Sequence, residues 1–76
     1  MSTTAPRAST RARLLSAARL GADVARADLL GSPEQATSAM ASWRRLRRHA
    51  DRDSRALLRM AFDTGYGRQM SDAVTH

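Results

Sequence analysis

The chain contains no cysteine, no lysine, no isoleucine and no asparagine, and has one residue each of Trp, Tyr and Phe in its 76 positions. Without cysteine there is neither a disulfide framework nor a thiolate-held zinc to staple a small fold. No apolar run approaches the ~20 residues of a membrane span, and none resembles the core of a secretory signal. A chain this short holds one domain at most. Scaling rules give it about 4,600 Å² of folded surface against about 12,000 Å² unfolded, so roughly 60% is buried. Stability must come from regular helix packing, from a second copy or from a partner.

Arginine and alanine fill the composition. All thirteen basic residues are arginine, against seven acids, for a net charge of +6. Lysine, isoleucine and asparagine share AT-rich codons, whereas alanine and arginine have GC-rich ones, so genome composition accounts for part of this bias. The charge points to a polyanionic or acidic partner only through its placement. Residues 1–22 carry Arg7, Arg11, Arg13 and Arg19 with several Ser/Thr and no acid, which imitates an organellar transit peptide. The same segment joins the packing pattern below, so a short tail followed by an ordinary helix is the better reading. The expected location is cytoplasmic.

Residues 1–9 lack periodicity and are expected to be a disordered tail. Thr10 can cap a first helix of about 10–30, which Gly31 stops. Ser32-Pro33-Glu34-Gln35 is a helix start, with a serine N-cap, proline in the first turn, glutamate at the positive dipole end and glutamine completing a capping box. The second helix meets no further Gly or Pro until Gly65 and is expected over about 33–64. Asp51-Arg52-Asp53-Ser54 can instead cap a separate third helix. Residues 65–76 form a C-terminal tail, flexible or a short helix. Helices joined as tightly as Gly31-Ser32 allows run antiparallel, so the fold class is all-α, a helical hairpin over 10–64.

The first helix repeats Leu15, Ala18, Ala22, Ala25 and Leu29 at steps of three and four, and the second repeats Ala36, Ala39, Trp43, Leu46 and Ala50. Folding the chain at Gly31 sets Leu29 on Ala36, Ala25 on Ala39, Ala22 on Trp43, Ala18 on Leu46 and Leu15 on Ala50, mostly large against small. The next layer sets Arg11 against Asp53 as an ion pair at the open end. Two features exceed a lone hairpin. The first helix has a second apolar strip of Ala17, Leu20, Val24 and Ala27. The second outruns it, leaving Leu57, Leu58, Met60, Ala61 and Phe62 without an obvious partner. A helix apolar on two faces has two neighbours. Either the segment around Met70, Ala73 and Val74 folds back, or two hairpins form a four-helix bundle; the dimer is preferred, with Leu20, Val24, Leu57, Leu58, Met60 and Phe62 as its or a partner's interface.

Taking 100° per residue, Arg44, Arg48, Arg52, Arg55 and Arg59 fall on one strip of an unbroken second helix, flanked by Arg45, over about 22 Å. Guanidinium is always charged and grips two oxygens at once, which suits phosphate; a solvated helix face is the plain alternative. The strip lacks the Asn and Gln that read base edges beside Arg, so it suits backbone contacts, which position without specifying sequence. Single-strand binding needs stacking aromatics. Trp43 and Phe62 are committed to packing, and Tyr66, between Gly65 and Gly67, reads as a turn residue.

Metal and catalytic signals fall short. His49 and Asp53 are one helical turn apart, but two ligands make no site, and a side-chain pair on one helix is the simpler reading. The segment from Asp51 starts like a calcium loop, then puts Arg55 where a ligand belongs and lacks the glycine. No phosphate loop, nucleophile elbow or paired carboxylates occur. The expectation is a non-enzymatic, basic helical binding protein with no cofactor, metal, membrane or small-molecule substrate. Its partner is nucleic acid, through Arg44, Arg45, Arg48, Arg52, Arg55 and Arg59. The alternative is an adaptor or small inhibitor docking on an acidic protein.

Overall fold

A computed structural model describes the backbone of residues 4–75 and the side chains of residues 10–75. These residues form three helices: α1, Thr4–Leu30; α2, Pro33–Arg48; and α3, Arg52–Thr75. None is long and apolar enough to cross a membrane. α1 begins ahead of Thr10 because Pro6 falls in its first turn, where the fixed φ suits a helix and an N–H has no partner to lose. The expected disordered tail therefore does not extend to Ser9, and residues 1–3 lie outside the described residues.

Gly31 ends α1 as expected, with φ 67°. Its amide donates to Asp28 O at 3.2 Å, and the Ser32 amide donates to Ala27 O at 2.9 Å. This is a Schellman end, which needs a left-handed residue and so favours glycine. Ser32 then caps α2, its hydroxyl accepting from the Gln35 amide at 3.3 Å. The capping box is only half made. The Ser32 amide already bonds Ala27, so it has nothing to offer the Gln35 side chain.

The second helix does not continue to residue 64. It stops at Arg48, and His49 leaves helical geometry at φ −93°, ψ 5°. Asp51 is the cause: its carboxylate accepts from the Ser54 amide at 2.8 Å, an N-cap that competes with a continuous helix. Arg55 closes the break from the other side. Its Nε donates to Ala50 O at 3.1 Å and to Arg47 O at 3.3 Å, the second a carbonyl that also accepts from the Ala50 amide at 3.1 Å. His49 and Asp53 are thus on different elements, and the expected pair on one helix is not formed.

α1 is the hub, packed over a larger surface against α3 and a smaller one against α2. Its two apolar faces do have two neighbours, but the second is α3 of the same chain. The face assignment is also the reverse of that expected. Leu20 and Ala27 lie beside α2 residues and Ala17 packs with Trp43 and Leu58, while Ala18 and Gly21 meet α3. Leu15 and Leu29, expected inside the hairpin, are 67% and 47% exposed, and Arg11 and Asp53 form no ion pair among the described residues. The repeat expected on the second helix is correctly placed: Ala39 and Trp43 of α2 and Ala50 in the break after it are buried, Ala36 and Leu46 half-buried.

Two glycines decide which face of α1 receives α3. A methyl group at Gly21 would overlap Phe62 O and sit 2.9 Å from Phe62 C and 3.0 Å from Tyr66 N. One at Gly65 would overlap Ala18 O and sit 2.8 Å from Ala18 C. Each glycine therefore lies against the other helix's backbone, an approach that side chains forbid. Gly65 is not a stop, and α3 passes through it to Thr75. Tyr66 is not a turn residue either: its hydroxyl donates to Asp28 Oδ2 at 2.9 Å, tying α3 to the end of α1. That bond to a carboxylate favours the neutral phenol and raises the Tyr66 pKa above 10.0.

Ala17, Trp43, Ala50 and Leu58 form the buried centre, and Phe62 packs beside them. The Trp43 and Phe62 rings, 4.4 Å apart at 31°, join α2 to α3, a pairing worth about 0.5–1.5 kcal/mol beyond its buried area. Arg47 covers the outer side of Trp43, with Cζ 5.7 Å from the ring centre. The molecule is elongated, 46 × 25 × 17 Å, with a radius of gyration of 13.5 Å, against about 11 Å for a compact chain of this length.

Candidate nucleic-acid interface

The arginines expected on one strip are divided by the break at residues 49–51. Arg44, Arg45 and Arg48 belong to α2, and Arg52, Arg55 and Arg59 to α3. All six are exposed. They form a basic corner where α2 ends and α3 begins, and not a single helix face.

Part of this charge has a structural task. Arg45, Arg47 and Arg48 occupy the last turn of α2, where cations offset the negative end of the helix dipole. Arg55 is held on the carbonyls of Arg47 and Ala50, and Arg59 pairs with Asp63 at 3.3 Å. From α1, Arg13 donates to His49 O at 3.5 Å and closes the open end of the hairpin, the role expected of Arg11. Asp51 lies within this group. Its hydrogen bonds from Ser54, with Arg13 and Arg55 nearby, lower its pKa below the usual 3.8, so it stays charged and offsets part of the field.

Arg44, Arg45, Arg48 and Arg52 remain. Among the described residues these four make no hydrogen bond or ion pair within the chain. Four exposed guanidinium groups where α2 ends and α3 begins can contact successive anionic oxygens along a backbone.

The apolar residues expected at a partner surface separate into two sets. Leu58 and Val24 are buried, and Phe62 is half-buried on Trp43; these belong to the core, because α3 folds onto α1. Leu57 and Met60 stay exposed on α3. Leu20 lies in a groove between α1 and α2, on the side away from α3. That groove takes Ser16, Leu20, Asp23 and Arg26 from α1, Gln35, Ser38, Ala39, Ser42, Arg45 and Leu46 from α2, and His49 just beyond it. Sequence reasoning did not find it, because its floor is made of serine and alanine, which no hydrophobic pattern marks.

No family model matches this chain, and neither does any curated protein or solved structure.

Proposed function

We propose that this protein binds nucleic acid through its phosphates, with Arg44, Arg48 and Arg52 as the central contacts and Arg45 at their edge, in a regulatory or accessory role, and that it works as a pair of chains. The observation that carries the reading is that, among the described residues, these arginines make no hydrogen bond or ion pair, beside others that are bonded within the fold. A helix end needs one or two cations to offset its dipole; this corner has more. Backbone contact of this kind holds a duplex without selecting its sequence.

The test is binding of a short DNA duplex across a salt series. Three to four phosphate contacts lower affinity about 40–150-fold between 50 and 200 mM salt. The Arg44→Glu/Arg48→Glu variant should bind at least about tenfold more weakly and give a shallower salt slope. Failure of both duplex DNA and RNA to bind at low ionic strength would end the proposal. A second reading, docking on an acidic protein, has support in the exposed Leu57 and Met60 beside the basic corner. Leu57→Asp separates the two, since it disturbs protein docking and leaves phosphate contacts intact.

A further inference from the structure

We infer that the outer face of α3 is a seam on which two copies of this chain lie parallel and in register, with Asp63 of each facing Arg68 of the other. This rests on and specifies the pairing put forward above, and is independent of the phosphate reading.

Spacing and exposure define the seam together. Leu57, Met60, Thr64, Gly67, Ser71 and Val74 follow one another at alternating steps of three and four, the repeat that keeps one helix face on a partner helix. All six are exposed and uncharged, while the charged residues within the same stretch, Arg59, Asp63, Arg68 and Asp72, lie off the line. Met60 and Val74 are large apolar side chains exposed at 65% and 86%. The stripe runs about 26 Å along α3 at 1.5 Å per residue. Its middle is open, since a methyl at Gly67 would meet nothing within 4 Å. The Thr64 hydroxyl donates to Met60 O at 2.9 Å, so it needs no outside partner. Asp53, one step before Leu57, is charged and ends the seam.

Charge selects the occupant and its direction. At 100° per residue, Asp63 borders the stripe on one side and Arg68 on the other. Arg59 donates to Asp63 Oδ1 at 3.3 Å; among the described residues Oδ2 has no bond, and the Arg68 side chain has none either. In two parallel helices in register, a residue on the Asp63 border meets the residue five places further on in the partner. That contact joins Asp63 to the other chain's Arg68, and the two-fold axis makes it twice. Turned antiparallel, like borders meet, Asp63 against Asp63 and Arg68 against Arg68. An acidic helix suits Arg68 and is repelled at Asp63. A parallel second copy satisfies both borders. Because α3 is already held on α1, the pairing requires no new helix to form. Arg52 opens α3, so the parallel pair sets both basic corners at the same end.

The experiment is sedimentation equilibrium of the full chain from about 1 to 300 µM, with thermal melts to confirm that each variant folds. The wild-type chain is expected to dimerise in this range. Met60→Asp places two carboxylates inside the seam and should weaken the dimer at least about tenfold. Asp63→Arg alone and Arg68→Asp alone each set like charges across both borders and should weaken it about three- to tenfold. A 1:1 mixture of those two variants restores both contacts and should dimerise within about threefold of wild type. Direction is read by cross-linking, since the chain has no cysteine of its own. Under mild oxidation Ser71→Cys should link to its own copy much faster than Thr37→Cys, an exposed position on α2. A chain that is monomeric at about 300 µM overturns the inference and the pairing with it. A dimer that survives Met60→Asp keeps the pairing and overturns the seam. Ser71→Cys linking no faster than Thr37→Cys, or single charge variants that dimerise as wild type does, overturns the parallel register. Duplex binding by Arg44→Glu/Arg48→Glu, compared in the Met60→Asp background, tests the phosphate reading with no pairing involved, so the two readings fail separately.

Discussion

Replacing Gly21 by alanine sets a helix preference against a packing distance. In a free helix the change is favourable by about 0.8–1.0 kcal/mol. Here the added methyl would overlap Phe62 O and lie 2.9 Å from Phe62 C. These obstacles are backbone atoms inside α3, so no rotamer change relieves them and the helices must separate. Overpacking of this kind costs about 1–3 kcal/mol. Taking the upper end because backbone is involved, the net loss is about 2 kcal/mol, or roughly 8–16 °C in Tm for a domain of this size. Gly67 is the control: a methyl there meets nothing within 4 Å. Gly67→Ala should therefore show the helix gain alone, about 0.5–1 kcal/mol and a Tm rise of about 2–8 °C. Thermal unfolding followed by circular dichroism, with a reversibility check, measures both. Gly65→Ala should resemble Gly21→Ala, and the double variant should lose less than the sum, since helices already separated by one methyl accommodate the other. If Gly21→Ala melted at or above the Gly67→Ala temperature, the glycine contact between α1 and α3 would not exist.

Two further predictions concern bonds between elements. Tyr66→Phe removes the link to Asp28 and should lower the Tm slightly; alkaline titration of the wild-type phenol should give a pKa above 10.0 that falls in Asp28→Ala, and an unchanged titration would rule the bond out. The Asp51 pKa is lowered from 3.8 on folding, so its charge stabilises the fold above about pH 4 and that stabilisation is lost as pH falls through the lowered value. Asp51→Asn keeps an N-cap and removes the charge. The gap in Tm between it and wild type should be largest near neutrality and close toward pH 2, and a gap independent of pH would show that the charge contributes nothing.

How much of this could be read in the sequence depends on how many meanings a residue has. Ser32-Pro33 has one, a helix start after a glycine end, and it was placed correctly. So was the α2 face, because Trp43 and Leu46 leave little doubt about which side is inside. The two apolar sides of α1 were legible, but not which neighbour each served, since alanine stripes differ too little to be assigned. Glycine was the misleading residue. Gly65 reads as a helix stop, yet here it is a point of approach, and the same is true of Gly21 in a helix otherwise rich in alanine. The paired requirement, Gly21 inside α1 and Gly65 inside α3, was the available signal. The arginine strip failed for a related reason: its geometry assumed an unbroken helix, and the Asp51 cap turns it into a corner.

Connections between helices are usually where a chain gains or loses residues most freely. The α1–α2 turn does not have that freedom. The Ser32 amide finishes one helix through Ala27, and its hydroxyl starts the next through Gln35. One added residue on either side of Ser32 forces a choice between the two roles, and a bulkier or longer loop loses both. The length from Ala27 to Gln35 is therefore set as firmly as a core position. Insertions, tags or fusion partners belong at the chain ends, and variation in this protein should concentrate on exposed helix faces while the turn keeps its length.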